Sequence, residues 1–467
     1  MREFVAHEYQ KRAFRWILDH PRCLLFLEMG LGKTVVTLSA IKRLQLYGEA
    51  ERVLVIAPAK VAESTWSSEA EEWAHLQTLR VSNVTGRAKK RERALAVDAD
   101  VYVISRDSVA WLCELYKKKF PFDMVVIDEL TSFKNPKALR FKALRRVLPG
   151  VPRVVGLTGT PTPNGYPDLW AQVYCVDQGQ RLGKYISYYY DRWFNVVQLP
   201  TGVPIRWLPK DGAKQEIMEA ISDIALAMRA EDWLKLPPIM YEDTFVTLPD
   251  TVMKKYRKFA SDKVLEITKD GKPLTAESAG VLVNKLAQFS NGAIYDEEKN
   301  IIPLHDEKLR MLREIYESER DSPVLVFYQY KHDADRILKY FDELRKKGEL
   351  TGSFAIYRKD EDRRYWNHGG YDLLLAHPAA TAYGLNMQQG GCRIVWFTTG
   401  WDLERYKQAN ARLYRQGQKR PVKVFNLVMK GTVDERMLAA LRGKDSVQRD
   451  VMLSLAKGVI RDLGLHV

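Results

Sequence analysis

Short apolar runs rich in β-branched residues recur along this chain, and no other feature limits its fold as much. VLVIA (53–57), VYVI (101–104), MVVI (124–127) and RVVGL (153–157) form a first set. VLVFY (324–328), SFAIY (353–357), LLLA (373–376), RIVWF (393–397) and VKVFNL (422–427) form a second. Runs without polar alternation read as strands covered on both faces, and stretches of helical periodicity between them, as at 34–46 and 136–147, supply the covering layers. The expectation is an α/β chain with two parallel-sheet domains. A length of 467 residues suits two or three domains, each able to bury a core.

Between the two sets, at about 173–300, the strand pattern fades. An aromatic cluster, YISYYYDRWF (185–194), a Pro- and Gly-containing loop at 200–212 and helical stretches at 214–228 and 252–267 predict a mainly helical insertion. The segment 433–467 also reads as helical. The division that follows is 1–172 for a first, nucleotide-binding lobe, 173–300 for the insertion, 301–440 for a second lobe and 441–467 for a C-terminal helical segment.

Lys and Arg number 73 against 59 Asp and Glu, and the formal charge of +14 calls for a polyanionic partner. Cys23, Cys113, Cys175 and Cys392 have no metal-ligand spacing, which argues against a zinc centre or a disulfide framework. No apolar run approaches a bilayer span, and MREFVAHEYQ lacks the apolar core of a signal peptide. A cytoplasmic setting without a membrane partner is expected.

EMGLGKT (28–34) follows the apolar run CLLFL and opens a helix at Lys33, the strand, loop and helix context of a phosphate-binding loop. Met29, Gly30, Leu31 and Gly32 would bring backbone N–H groups to the phosphates. Lys33 would reach the β and γ phosphates, and the Thr34 hydroxyl would hold magnesium at a helix N-terminus. Leu27 stands where the generic pattern has its first glycine. MVVIDE (124–129) ends a strand in two acids, so Asp128 would join the magnesium shell and Glu129 would orient and deprotonate the attacking water. Arg412 and Arg415, in QANARLYRQGQ (408–418), are one helical turn apart and would face the γ-phosphate together as arginine fingers.

These motifs occur in the order HEYQ (7–10), EMGLGKT, VLVIAPAKVAESTW (53–66), IDELTSFKN (127–135), LTGTPTPN (157–164), YGLNMQ (383–388) and QANARLYRQGQ. The set resembles the helicase motifs of superfamily two, and more narrowly the Swi/Snf-type branch, from about residue 4 to residue 440. FKN (133–135), LW (169–170) and MRAEDWLKLPPIMYEDTFVTLPDTVMKKY (228–256) also match that branch. HPAATAYGLNMQQGG (377–391) before WDLERYKQANARLYRQGQ (401–418) is similar to its short phage and prophage members. The resemblance implies two tandem RecA-like lobes, ATP and Mg2+ as cofactors, and ATP-driven translocation on double-stranded DNA by a monomeric motor, forked or branched DNA and a partner protein remaining open.

Residue by residue, the resemblance places His7, Tyr9 and Gln10 at the adenine. Thr158 and Thr160 would link hydrolysis to the DNA track, and Gly384 to Asn386 with Gln408, Arg412 and Arg415 would complete the site from the second lobe. Loops near Lys60, Arg106 and 381–386, with Thr381 and Asn386 at the ends of the last, would touch the DNA backbone. The chain departs from the branch at Leu27, usually acidic, at Thr381 and Tyr383, usually small, and at Leu130 and Thr131 after the acidic pair. None of these removes a catalytic group.

TGRAKKRER (85–93) is a basic cluster that reads either as a loop on the DNA-facing edge or as a solvated helix. The tyrosines at 188–190 with Trp193 and Phe194 read as core rather than as a base-stacking platform, because a motor on intact duplex meets no unstacked bases. A strand-separating or branch-migrating helicase and a nucleotide-gated DNA-binding adaptor share the same motifs and stay open.

Overall fold

The computed structural model describes the chain except residues 1, 199–203, 268–275, 320–321, 382–384 and 463–467. It forms two compact units, one of residues 1–234 with 444–467 and one of residues 235–443.

In the first unit β1 (Arg22–Leu27), β2 (Val53–Ala57), β3 (Val81–Val84), β4 (Val101–Ser105), β5 (Met124–Asp128) and β6 (Arg153–Thr158) arise in turn. β7 (Phe194–Gln198) and β8 (Pro204–Pro209) pair antiparallel, and β9 (Ala225–Met228) returns to the main sheet. The sheet order is β3-β4-β2-β5-β6-β1-β9, every neighbouring pair parallel. All five residues of β2 and of β5 are buried, as a sheet covered on both faces requires.

The second unit contains β10 (Ile239–Val246), the antiparallel pair β11 (Ala293–Tyr295) and β12 (Ile301–Pro303), then β13 (Val324–Phe327), β14 (Phe354–Ile356), β15 (Leu373–Ala376), β16 (Arg393–Trp396) and β17 (Val422–Met429). Its main sheet runs β10-β17-β16-β13-β15-β14, again parallel throughout. Two tandem parallel-sheet domains of the α/β class are therefore present, and the two sets of apolar runs mark β2, β4, β5, β6 and β13 to β17 but not β3, β9 or β10.

A related device serves both units. Arg153, first residue of β6, donates to the carbonyls of Ile17 and Leu18 at the end of the helix Glu8–Asp19. Arg393, first residue of β16, donates to the carbonyls of Ile315, Glu319 and Ser322 at and beyond the end of the helix Glu307–Ser318. Arg153 satisfies carbonyls in the last turn of its helix, Arg393 ties the end of its helix to the segment leading into β13, and hydrogen bonds to a charged group are worth about 1.5–3 kcal/mol each.

The stretch 173–300 is less helical than expected: it holds the antiparallel pair β7 and β8, the strands β9 and β10, and β11. The helix expected over 214–228 ends at Ile221, and ALAM (225–228) becomes β9, with Leu24 of β1 opposite Ala225. Ala, Leu and Met favour helices, so tertiary pairing overrides local propensity here. IMYEDTFV becomes β10, paired with β17 along its whole length. Its exposed Met240, Tyr241 and Phe245 mark a sheet edge, whose mixed polarity hides a strand from a search for apolar runs. Tyr189, Trp193 and Phe194 are core, and the Tyr189 hydroxyl donates to the Tyr166 carbonyl at 2.8 Å, whereas Tyr185 and Tyr188 are exposed. The last helix runs Val433–Asp462. Among the described residues no helix is long and apolar enough to cross a membrane.

Candidate nucleotide site

Parallel strands bring their carboxyl ends to one edge of the sheet, and in the first unit that edge collects the loop after β1, the acids after β5 and the turn after β6. Gly30 and Gly32 have φ of 85° and 76°, and Gly32 is the N-cap of the helix Lys33–Leu46. A Cβ on Gly32 would lie 2.7 Å from Gln10 Nε2, so only glycine satisfies both the left-handed backbone and the space. Gln10 is buried against the loop. Its Nε2 donates to the Leu31 carbonyl at 3.4 Å, and its Oε1 accepts the His7 N–H at 2.9 Å. The His7 and Tyr9 rings stack with centroids 5.5 Å apart, and burial pushes the Tyr9 phenol up to about 12. His7, Tyr9 and Gln10 are thus one cluster, fixed to the loop through Gln10.

Lys33 Nζ donates to the Leu27 carbonyl at 2.9 Å, a contact that any residue at 27 supplies, so the missing first glycine does not disturb the lysine. Gly159, in LTGTP, lies so close that its Cβ would come 3.2 Å from the Leu27 oxygen and 3.6 Å from Lys33 Nζ. Asp128 is buried at the end of β5. Its Oδ2 accepts the Trp66 indole N–H at 3.1 Å and its Oδ1 the Glu129 N–H at 3.0 Å. Burial raises the Asp128 pKa above the ordinary carboxylate value, while the charge of Lys33 and the two hydrogen bonds oppose that rise. Trp66, the last residue of VLVIAPAKVAESTW, is fully buried, and nothing in that motif alone assigns it this task.

Glu129 has φ 52° and ψ 59°, a left-handed conformation uncommon outside glycine, Asn and Asp that stores about 1–3 kcal/mol and clusters at functional sites. Thr158 and Thr160 are both buried, and the Thr160 N–H donates to Thr158 Oγ1 at 3.1 Å. Gln448, from the last helix and within the first unit, donates to the Gly159 carbonyl at 3.1 Å. A loop of two left-handed glycines at a helix N-terminus, an ammonium, the Thr34 hydroxyl and one buried carboxylate make a donor set suited to a nucleotide whose magnesium takes its remaining ligands from phosphates and water.

Lys60, exposed, and Arg106, half-buried, follow β2 and β4 at the same edge. In the second unit the helix Leu403–Asn410 stops before Arg412 and Arg415, correcting the expectation that they share one helical face. The chain tightens there into turns, with Arg412 N–H on the Ala409 carbonyl and Leu413 N–H on that of Asn410. The two guanidiniums nevertheless converge, each with Nη1 3.4 Å from the Leu385 carbonyl. Arg412 Nε also donates to the Gln408 carbonyl at 2.8 Å, and Gln408 Nε2 to Glu404 Oε1 at 3.1 Å. Thr381 is buried with its hydroxyl on the Pro378 carbonyl, and Asn386 is exposed. Gly384 and Tyr383 lie outside the described residues.

The family model described as the SNF2-related domain matches residues 9–289. The protein p41 of Acyrthosiphon pisum secondary endosymbiont phage 1 is 36% identical over 98% of this chain and 100% of its own length. A Mycoplasma genitalium protein, named as an uncharacterised ATP-dependent helicase, is 25% identical over 96% of this chain, which spans 42% of that relative's length. A solved Sulfolobus solfataricus SWI2/SNF2 ATPase core in complex with double-stranded DNA is 21% identical, with TM-score 0.45, covering 100% of this chain and 98% of that one.

Proposed function

The chain belongs to the SNF2-related family, and from that premise we propose that it is a DNA-dependent ATPase coupling ATP hydrolysis to translocation along double-stranded DNA. The observation that carries the proposal is the convergence of Lys33, Asp128, Glu129 and Gly159 on the carboxyl edge of one parallel sheet. The name of the mycoplasma relative, an ATP-dependent helicase, supports the ATPase half of the reading.

Magnesium bound with ATP would neutralise developing phosphate charge. Around it, the N–H groups from Met29 to Lys33 hold the phosphates and Lys33 exchanges its Leu27 carbonyl for phosphate oxygen. Thr34 and Asp128 hold the ion, with Trp66 fixing the carboxylate, and Glu129 orients the attacking water and takes its proton. His7, Tyr9 and Gln10 bind the base. Arg412 and Arg415 would supply positive charge to the transferred phosphate, the role that the family motif gives them together with Gln408 and Gly384.

Lys60, Arg106 and Asn386 would meet the duplex backbone, which a motor must grip without reading sequence, whereas the buried Thr381, with its hydroxyl on the Pro378 carbonyl, would shape its loop rather than touch DNA. Thr158 and Thr160, buried beside Gly159, transmit the state of the nucleotide rather than touch DNA directly. ATPase assays with and without duplex test the reading. Duplex should stimulate turnover, and Lys33→Ala should lower it at least 100-fold, since the lysine's contact is made to charge that develops in the transition state. A rate indifferent to both would overturn it.

A further inference from the structure

We propose that the helix Ala88–Ala96 with its leading Arg87 is a phosphate-binding ridge that extends the duplex track along the outer side of the first sheet. The inference rests on the DNA-motor reading above and adds to it a binding element that the helicase motifs do not include.

β3, β4 and β2 are adjacent and parallel at that side of the sheet, and they end level: Val84 is opposite Ile104, and Ile104 is opposite Ile56. The segments leaving them, 85–93, 105–108 and 58–60, therefore depart from one edge at one height. Arg106 and Lys60 belong to the second and third, and the basic cluster is the first. It is a helix, which settles the alternative of a loop left open by its composition.

The ridge is held rigidly on the domain. Leu95 is buried, and Ser82 Oγ donates to the Ala94 carbonyl at 2.8 Å. Arg91 donates to Ser108 Oγ and lies 4.2 Å from the Trp111 ring centroid, which ties the helix to the turn bearing Arg106. Arg87, Lys89, Lys90 and Arg93 remain exposed, and none of the four is ion-paired among the described residues.

A merely solvated helix would place acids in its first turn, at the positive end of the helix dipole. Here the first turn has none, Arg87 sits at the N-cap without a capping hydrogen bond, and Lys89 and Lys90 follow. Cations are unfavourable at that end of a helix, and a phosphate laid along the ridge reverses the effect. The inner face of the helix packs on its own domain, so no apolar face is left for the acyl region that a membrane-surface helix requires. The repeated anion that fits is the nucleic-acid backbone.

The test is the salt dependence of duplex binding by the full chain, measured between about 50 and 200 mM salt. Replacing Arg87, Lys89, Lys90 and Arg93 together by Ala should make the slope of log K against log salt shallower by about 2–4, since each phosphate contact contributes about 0.9. Exchanging the same four between Lys and Arg should keep the wild-type slope, and thermal melts of both variants should match the parent. Equal slopes for the Ala variant and the parent would overturn the ridge and leave the motor reading standing. Loss of binding to vesicles containing anionic lipid, with duplex binding unchanged, would assign the ridge to a membrane surface instead. A parent chain that does not bind duplex at all would overturn the motor reading, and the ridge with it.

Discussion

Gly32 carries two demands at once, a φ of 76° and clearance for the Gln10 amide. Gly32→Ala should therefore cost about 1–2 kcal/mol from the left-handed backbone and also displace Gln10 from the Leu31 carbonyl. The expected outcome in a nucleotide titration is ATP affinity weakened at least tenfold in a chain that still melts cooperatively; unchanged affinity would show that Gln10 takes no part in binding. Lys33, Asp128 and Glu129 were legible in the sequence because each sits at the end of a local pattern, an apolar run followed by GKT or by two acids. Trp66 was not, since its partner Asp128 is 62 residues away and only the sheet order brings them together. The left-handed backbone of Glu129 was likewise hidden, because nothing in the side chain of glutamate favours it.

At the scale of elements, the last helix reaches the site through Gln448, whose amide donates to the Gly159 carbonyl beside Lys33. Both groups are buried, and leaving that carbonyl unpaired costs about 1–3 kcal/mol. Gln448→Met, close in size, should speed hydrogen exchange through residues 158–162 and lower the first unfolding midpoint in denaturant. Exchange rates equal to those of the parent would remove the helix from any part in shaping the turn. The strands buried on both faces were readable from unbroken runs of Val, Ile and Leu. β9 and β10 were harder, one built from helix-favouring residues and the other an edge strand of mixed polarity, so only their pairing with β1 and β17 defines them. The basic helix was visible as charge, but its tether to Ser108 and Trp111 was not, because the partners lie on the segment after β4.

In the molecule as a whole, part of the charge of +14 acquires specific places: a lysine at the glycine loop after β1, two arginines converging on Leu385, and exposed cations on the helix that follows β3. Movement along intact duplex, proposed here for this chain, is measured by displacement of a third strand from a triplex. The wild-type chain with ATP and Mg2+ should release the third strand while the underlying duplex stays paired, and Lys33→Ala should release none. Separation of the duplex strands, or release that needs no ATP hydrolysis, would contradict the proposal.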